Sequence, residues 1–200
     1  VVDELLDNDA KLNLGGEERK VTILFTDIRG FTAMSEKMNP ETVVTTLNEY
    51  FSEMIDIVFA NNGTLDKIIG DELMIVYGAP LESEDDTDRA VKTAIEMQRR
   101  ISELNVERKK RKEPPIYVGA GINTGTVISG NIGSRDMMDY TVIGDTVNLG
   151  ARLCSSAKPG EILVSLNVHS ITKEKFNYKK LEPIRVKGKE KKVHLYKVLY

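Results

Sequence analysis

Cysteine is nearly absent: Cys154 is the only one in the 200-residue sequence. A single thiol cannot form a disulfide within the chain, and no zinc-binding or haem-binding spacing surrounds it. The sequence therefore indicates a reducing, cytoplasmic setting and a core position for Cys154. No apolar run approaches the roughly 18 residues of a membrane helix, and no signal peptide opens the sequence. Because the sequence begins with Val1, we expect a piece of a longer protein with an upstream sensor or membrane module.

Two common phosphate-binding motifs are also missing. The segment "GAGINTG" has Thr124 where the third glycine of a GxGxxG motif belongs, and GxxxxGK[ST] does not occur. These absences exclude a Rossmann dinucleotide site and a P-loop. The sequence also contains no internal repeat and no low-complexity segment.

What the sequence does contain is enough apolar material for one compact core, since 40% of the residues are hydrophobic and 30% are charged. The charge is uneven. Residues 173–200 carry ten Lys or Arg against three acidic residues, although the net charge of the chain is -3. A basic tail beside an acidic body indicates an anionic ligand, and charge alone is equally consistent with a solvated charged face.

Hydrophobic patterns predict alternating strands and helices. A strand over roughly 20–27 is followed by a helix that begins at Asn39-Pro40, and Gly70-Asp71 separates two β-rich runs that we read as a tight hairpin. A second long helix follows an acidic cap, and "IYVGAGI" then forms a strand that pairs with "TVISGNI" across "NTG". A helix over about 145–157, the strand "EILVS", a short helix and a closing pair of strands around 176–186 and 192–199 complete the chain. The predicted fold is α+β, with a ferredoxin-like βαββαβ core and a C-terminal αβαββ extension.

Two aspartates are predicted to meet at one edge of this sheet. The apolar run from Val21 to Phe25 delivers Asp27 into a loop, and Asp71 occupies the turn of the adjacent hairpin. Either residue alone is consistent with a turn or cap. Two converging carboxylates would repel each other without a cation, and hard oxygen donors suit Mg²⁺ bound jointly with substrate phosphates.

Two further groups fit nucleotide chemistry. Gly30 gives the loop after Asp27 a flexible point where backbone N–H groups can approach an anion, and Phe31 is expected to anchor that loop in the core. Asn148 and Arg152 lie four residues apart on one face of a predicted helix, where an amide and a guanidinium could grip ribose and phosphate. A solvated Asn and a surface Arg at this spacing are also commonplace.

Three segments, "LFTDIRGFT", "GTLDKIIGDELMIVYG" and "DYTVIGDTVNLGARL", resemble in order and spacing the catalytic domain of the class III nucleotide cyclases, the adenylate and guanylate cyclase family. The resemblance covers about residues 19–199. It implies a linker over 1–18 and a catalytic domain over 19–200. It also implies a homodimer with head-to-tail chains, in which each active site takes residues from both chains.

The resemblance also implies roles for individual residues. It makes Asp27, Asp71 and the backbone carbonyl of Ile28 ligands of two divalent cations, Mg²⁺ with Mn²⁺ able to substitute. The remaining implied roles are purine recognition by Lys67 and Thr141, ribose positioning and transition-state stabilisation by Asn148 and Arg152, and a triphosphate contact by Lys187.

The implied reaction is the conversion of ATP to 3′,5′-cyclic AMP and pyrophosphate by attack of the ribose 3′-hydroxyl on the α-phosphorus, without a nucleic-acid partner. Lys67 favours adenine, because guanylate cyclases of the family typically carry Glu at that place. A guanylate cyclase and a non-catalytic nucleotide-binding domain remain the alternatives. Two residues depart from the family pattern: Arg29 stands where Val is frequent, and Gly150 stands where Ala is usual.

Overall fold

The structure is a computed structural model that describes residues 15–134, 137–185 and 192–200. Its elements begin in the predicted βαββαβ order, with one extra short helix after the first strand. In chain order, the elements are β1 (Gly15–Ile28), α1 (Phe31–Ser35), α2 (Pro40–Ala60), β2 (Thr64–Ile69), β3 (Glu72–Tyr77), α3 (Asp86–Lys110), β4 (Val118–Gly133), β5 (Met138–Ile143), α4 (Asp145–Ser156), β6 (Ile162–Ser165), α5 (Leu166–Thr172), β7 (Asn177–Lys180) and β8 (Leu195–Leu199).

The strands form one eight-stranded sheet in the order β2-β3-β1-β4-β6-β8-β7, and β5 pairs with the far half of β4. The long strand β1 is central and runs antiparallel to both β3 and β4. This arrangement confirms the predicted α+β fold. Strand β1 begins at Gly15, earlier than the predicted start near residue 20, so part of the expected linker lies in the sheet.

One prediction about the sheet is wrong. "TVISGNI" does not fold back on "GAGI", because both belong to the single strand β4 and "NTG" stays extended in register with β1. The polar side chains of this segment find partners in that position: Thr124 Oγ1 donates to the Val21 carbonyl at 3.0 Å, and Asn123 Nδ2 donates to the Thr146 carbonyl at 2.8 Å. The strand that folds back on β4 is β5, Met138–Ile143, which was not predicted as a strand.

The two faces of the sheet carry different helices, because successive side chains of a strand point to opposite sides. On one face, Leu24 and Ile28 of β1 join the main core cluster with residues of α2 and α3. On the other face, Val21, Ile23 and Phe25 pack with Cys154 of α4. Cys154 is fully buried, as predicted.

Helix α4 lies directly on the backbone of β4 because the strand presents glycines to it. A Cβ on Gly121 would lie 2.6 Å from the Gly150 carbonyl oxygen and 2.7 Å from Cys154 Cα, and a Cβ on Gly119 would lie 3.0 Å from the Ala157 carbonyl. Neither glycine position leaves room for a side chain. The glycines of the segment "GAGINTG" thus allow α4 to pack closely on β4, and they set the distance of α4 from the sheet.

Three other expectations concern the linker, the closing strands and membrane helices. Residues 1–14 of the predicted linker lie outside them. The closing strands are shorter than predicted, with an isolated bridge between Ile184 and Val193 beyond β7 and β8. Within the described ranges, no helix has both the length and the apolar composition needed to cross a membrane.

Candidate active site

Asp27 and Asp71 meet at the edge of the sheet, as their positions predicted. Asp27 is the penultimate residue of β1, and Asp71 lies in the β2–β3 turn, where Gly70 takes a left-handed backbone conformation with φ of 64°. The Asp71 Oδ2 atom accepts a hydrogen bond from the Ile28 backbone N–H at 3.1 Å. The turn is therefore tied to the end of β1, next to Asp27.

Several carboxylates lie close together at this edge of the sheet and repel one another. Burial raises the pKa of Asp71 to about 6, and the neighbouring Asp27 carboxylate contributes to the rise. Burial also raises the pKa of Glu72 to about 7, again with a contribution from Asp27. A cation bound here would relieve the repulsion between these carboxylates.

The donor set fits a hard divalent cation that is also bound by its substrate. Within the described ranges, no group of three or more His, Cys, Asp or Glu side chains is placed to hold a metal ion by itself. The available donors are the carboxylates of Asp27 and Asp71. Such a set leaves positions for water and phosphate oxygens, which is how Mg²⁺ is usually bound in proteins.

Arg29, which the sequence left without a role, bridges this edge to α4. Its guanidinium forms an ion pair with the Asp27 carboxylate and donates to the carbonyls of Cys154 at 3.3 Å and Ala157 at 3.4 Å. Its own backbone N–H donates to the Tyr117 carbonyl at 2.7 Å. Arg29 thus joins Asp27 to the C-terminal end of α4.

The loop after Arg29 has the predicted character. Gly30 has φ of 74°, is exposed, and has no atom within 4 Å of the position where a Cβ would be. Phe31 is partly buried and packs against the main core cluster. The loop is therefore open at Gly30 and anchored at Phe31.

Lys67 and Thr141 come together although they lie on different strands. Thr141 Oγ1 donates to Asp66 Oδ2 at 2.9 Å, and Lys67 Nζ lies 3.3 Å from the same oxygen and 3.0 Å from Asp139 Oδ2. Burial raises the pKa of Asp66, while Thr141 and Lys67 act in the opposite direction. Sequence reasoning overlooked Asp66, although its position directly before Lys67 in "LDK" was the available signal.

Asn148 and Arg152 lie one turn apart on α4, with Asn148 exposed and Arg152 half-buried. Across the described ranges, neither side chain has a hydrogen bond or an ion pair. Both are therefore available to a ligand. Their distance from the sheet is set by the close packing of α4 on Gly121. Lys187, the predicted triphosphate contact, lies outside the described residues.

The sequence profile of the family described as "Adenylate and Guanylate cyclase catalytic domain" matches residues 16–199. The chain belongs to this family. This cyclase domain is 31% identical to "Adenylate cyclase 1" of Rhizobium meliloti and 36% identical to "Adenylate cyclase" of Anabaena cylindrica, with 90% of the chain covered in each case. It spans only 28% and 37% of the length of those relatives.

Solved structures of both nucleotide specificities are similar to this cyclase domain. The adenylyl cyclase CyaB from P. aeruginosa matches with a TM-score of 0.90 and 36% identity, covering 94% of this chain and 97% of that one. The guanylyl cyclase Cya2 matches with a TM-score of 0.88 and 38% identity, covering 92% and 94%. Overall similarity therefore does not distinguish ATP from GTP.

Proposed function

We propose that this cyclase domain converts ATP to 3′,5′-cyclic AMP and pyrophosphate. In this reaction the ribose 3′-oxygen forms a bond to the α-phosphorus, and the bond from that phosphorus to the oxygen bridging the β-phosphate breaks. The 3′-hydroxyl proton passes to water or to a phosphate oxygen. The observation that carries the proposal is the contact of Lys67 and Thr141 with one carboxylate, Asp66.

This pair matches the hydrogen-bonding edge of adenine. Adenine offers an acceptor at N1 and a donor at its 6-amino group, and guanine offers the reverse at the same two ring positions. The Lys67 ammonium only donates, whereas the Thr141 hydroxyl, because it donates its hydrogen bond to Asp66, is left to accept from the base. Lys67 would read N1 and Thr141 the 6-amino group.

Asp27, Asp71 and the Ile28 carbonyl are proposed to hold two divalent cations, Mg²⁺ or Mn²⁺. When bound, the cations would lower the pKa of the 3′-hydroxyl and offset charge on the triphosphate. The open backbone at Gly30 and Phe31 lies beside these carboxylates and would let N–H groups approach the phosphates.

Asn148 and Arg152 are proposed to act on the reacting groups. The amide of Asn148 would orient the ribose, and the guanidinium of Arg152 would stabilise charge that develops on the α-phosphoryl oxygens. The lack of competing partners for both side chains within the described ranges supports these roles. Lys187 is proposed to contact the leaving pyrophosphate.

We also propose a head-to-tail homodimer with two shared sites. Several large apolar side chains next to the purine pair are exposed in the single chain, among them Ile68 at 45%, Ile69 at 52% and Ile143 at 48%. An apolar surface beside polar site residues is typical of a protein–protein interface. In the dimer, Asp27 and Asp71 of one chain would face Lys67, Thr141, Asn148, Arg152 and Lys187 of the other.

The setting of the domain is also a proposal. ATP is a cytoplasmic nucleotide, and the single buried Cys154 fits that compartment. The named relatives are much longer than this chain, and we propose that a sensor or membrane module accompanies the domain in the whole protein.

The test is an assay of the purified chain with ATP or GTP and with Mg²⁺ or Mn²⁺. We expect cyclic AMP to form and Asp71→Ala to abolish it. Lys67→Glu should weaken ATP turnover far more than Lys92→Glu, a control at an exposed position on α3. Predominant cyclic GMP would favour the guanylate cyclase alternative. ATP binding without any cyclic product would favour a regulatory domain.

A further inference from the structure

Asp66 occupies an unusual place in strand β2. Leu65 pairs with Ile75 of β3 and Lys67 pairs with the next residue, Met74, so Asp66 is an extra residue in a β-bulge. In a regular strand, Asp66 and Lys67 would point to opposite faces. The bulge re-aims one of them, and bulges often serve this purpose next to active sites.

The Asp66 carboxylate lies behind Lys67 and Thr141. Its side chain is 5% exposed, against 33% for Lys67 and 66% for Asp139. A single oxygen, Oδ2, accepts from Thr141 Oγ1 at 2.9 Å and lies 3.3 Å from Lys67 Nζ. Asp66 is therefore well placed to orient both side chains while remaining too buried to be a main contact of a nucleotide.

We propose that Asp66 is the positioning residue that gives the site its preference for adenine over guanine. This inference rests on the proposed function and assigns its purine selectivity to a residue behind the two that touch the base. Asp66 accepts the hydrogen bond that the Thr141 hydroxyl can donate, so Thr141 can then only accept from the base. The same Asp66 oxygen also lies 3.3 Å from the Lys67 ammonium and so keeps Lys67 near that hydroxyl.

The argument depends on the ambiguity of a threonine hydroxyl, which can donate or accept a hydrogen bond. A free Thr141 could accept from the 6-amino group of adenine or donate to the 6-oxygen of guanine. With its proton committed to Asp66, Thr141 presents only lone pairs, and the guanine oxygen meets an acceptor instead of a donor. An unsatisfied or repulsive polar contact of this kind is costly in a desolvated site.

The isosteric variant Asp66→Asn tests the proposal. An Asn amide group can donate to Thr141 Oγ1, which frees the hydroxyl proton for guanine. We expect the ratio of kcat/KM for ATP to that for GTP to fall about tenfold or more, which corresponds to about 1.4 kcal/mol or more. Most of the change should appear in KM, because Asp66 affects the fit of the base and not the reacting phosphate.

Two further variants separate positioning from a structural role. Asp139→Asn removes the other carboxylate that contacts Lys67, but Asp139 is exposed and does not touch Thr141; it should change both nucleotides by a similar factor and leave the ratio intact. Thr141→Val removes the hydroxyl, and in that background Asp66→Asn should have a smaller effect on the ratio, because only its contact with Lys67 remains.

An unchanged ATP-to-GTP ratio in folded Asp66→Asn would overturn the inference, as would an equal effect of Asp66→Asn with and without the Thr141 hydroxyl. The preference can also be measured without turnover, by equilibrium competition of ATP and GTP for the purified chain. Failure of the proposed function is distinguishable, because it would appear as a wild-type chain that produces cyclic GMP or no cyclic nucleotide.

Discussion

Replacing Asp71 by Asn should abolish activity and at the same time stabilise the chain in the absence of divalent cations. The amide keeps nearly the same shape, and its oxygen can still accept the hydrogen bond from the Ile28 N–H. It removes the charge that repels Asp27. If Asp71 served folding alone, its replacement would lower stability instead of raising it.

The magnitude follows from the pKa of Asp71, which burial and the neighbouring Asp27 raise from 3.8 to about 6. A rise of this size corresponds to about 3 kcal/mol between the protonated and ionised forms. Because Asp71 is only half-buried, solvent screening reduces the net effect to about 1 kcal/mol. For a domain of this length, we expect an increase in Tm of roughly 2 to 4 °C.

The sign of the pH dependence is fixed by the direction of the shift. The folded pKa lies above the unfolded pKa, so the ionised carboxylate destabilises the folded state fully above about pH 6. This penalty declines as the pH falls from about 6 towards 4, where Asp71 is protonated in both states. The stability difference between wild type and Asp71→Asn should decline over the same range.

Thermal unfolding in EDTA at pH 7.5 and pH 4.5 measures both effects. Added Mg²⁺ or Mn²⁺ should stabilise the wild type and have little effect on the variant. Asp85→Asn is the matched control: a hydrogen bond from Ser83 and the guanidinium of Arg89 lower the pKa of Asp85, so this variant should be slightly destabilised. A lower Tm for Asp71→Asn at pH 7.5, or a difference that does not depend on pH, would refute the reasoning.

Two further predictions concern the residues that support the site. Gly121→Ala should displace α4 from β4, because the added Cβ would lie 2.6 Å from the Gly150 carbonyl oxygen. Overpacking of this kind lowers the free energy of unfolding by about 1 to 3 kcal/mol. A displacement of about 1 Å can reduce kcat about a hundredfold. Urea unfolding measures the loss of stability, and cyclic AMP assays measure the loss of activity. Gly150→Ala is the milder comparison, because its Cβ would lie 3.2 Å from the Phe25 ring. Equal effects of the two variants would contradict this prediction. Arg29→Gln should bind Mn²⁺ several-fold more tightly in the absence of nucleotide, because it removes the cation that pairs with Asp27, and should lower Tm because the link to α4 is lost. Electron paramagnetic resonance of free Mn²⁺ measures the affinity, and Arg99→Gln, at an exposed position, is the control. Unchanged or weaker Mn²⁺ binding by Arg29→Gln would show that Arg29 does not compete with the cation for Asp27.

Local patterns predicted much of the fold. The apolar run that ends at Asp27 is a strand, Asn39-Pro40 begins a helix in which the Asn39 side chain accepts from the Thr42 N–H at 2.8 Å, and Gly70-Asp71 is a hairpin turn. Each of these signals acts over a few residues, and the sequence displays them directly. The meeting of Asp27 with Asp71 then followed from the βαββαβ order.

The errors and omissions arise where distant residues decide. "NTG" has the composition of a turn, but pairing with β1 keeps Asn123 and Thr124 extended. Arg29 had no predicted role because two of its partners, the carbonyls of Cys154 and Ala157, are more than a hundred residues away. Asp66 was overlooked because the bulge that turns it towards Thr141 depends on the register between β2 and β3.

The central claim is that two chains share each cyclase site, and mixing two inactive variants tests it most directly. Asp71→Asn should fail on the cation side of the site, and Arg152→Ala should fail on the opposite side. An equal mixture of the two chains should contain about half heterodimers, each with one intact site and one doubly defective site. We predict that the mixture regains about a quarter of the wild-type rate of cyclic AMP formation. An inactive mixture, under conditions in which heterodimers are shown to form, would contradict the account.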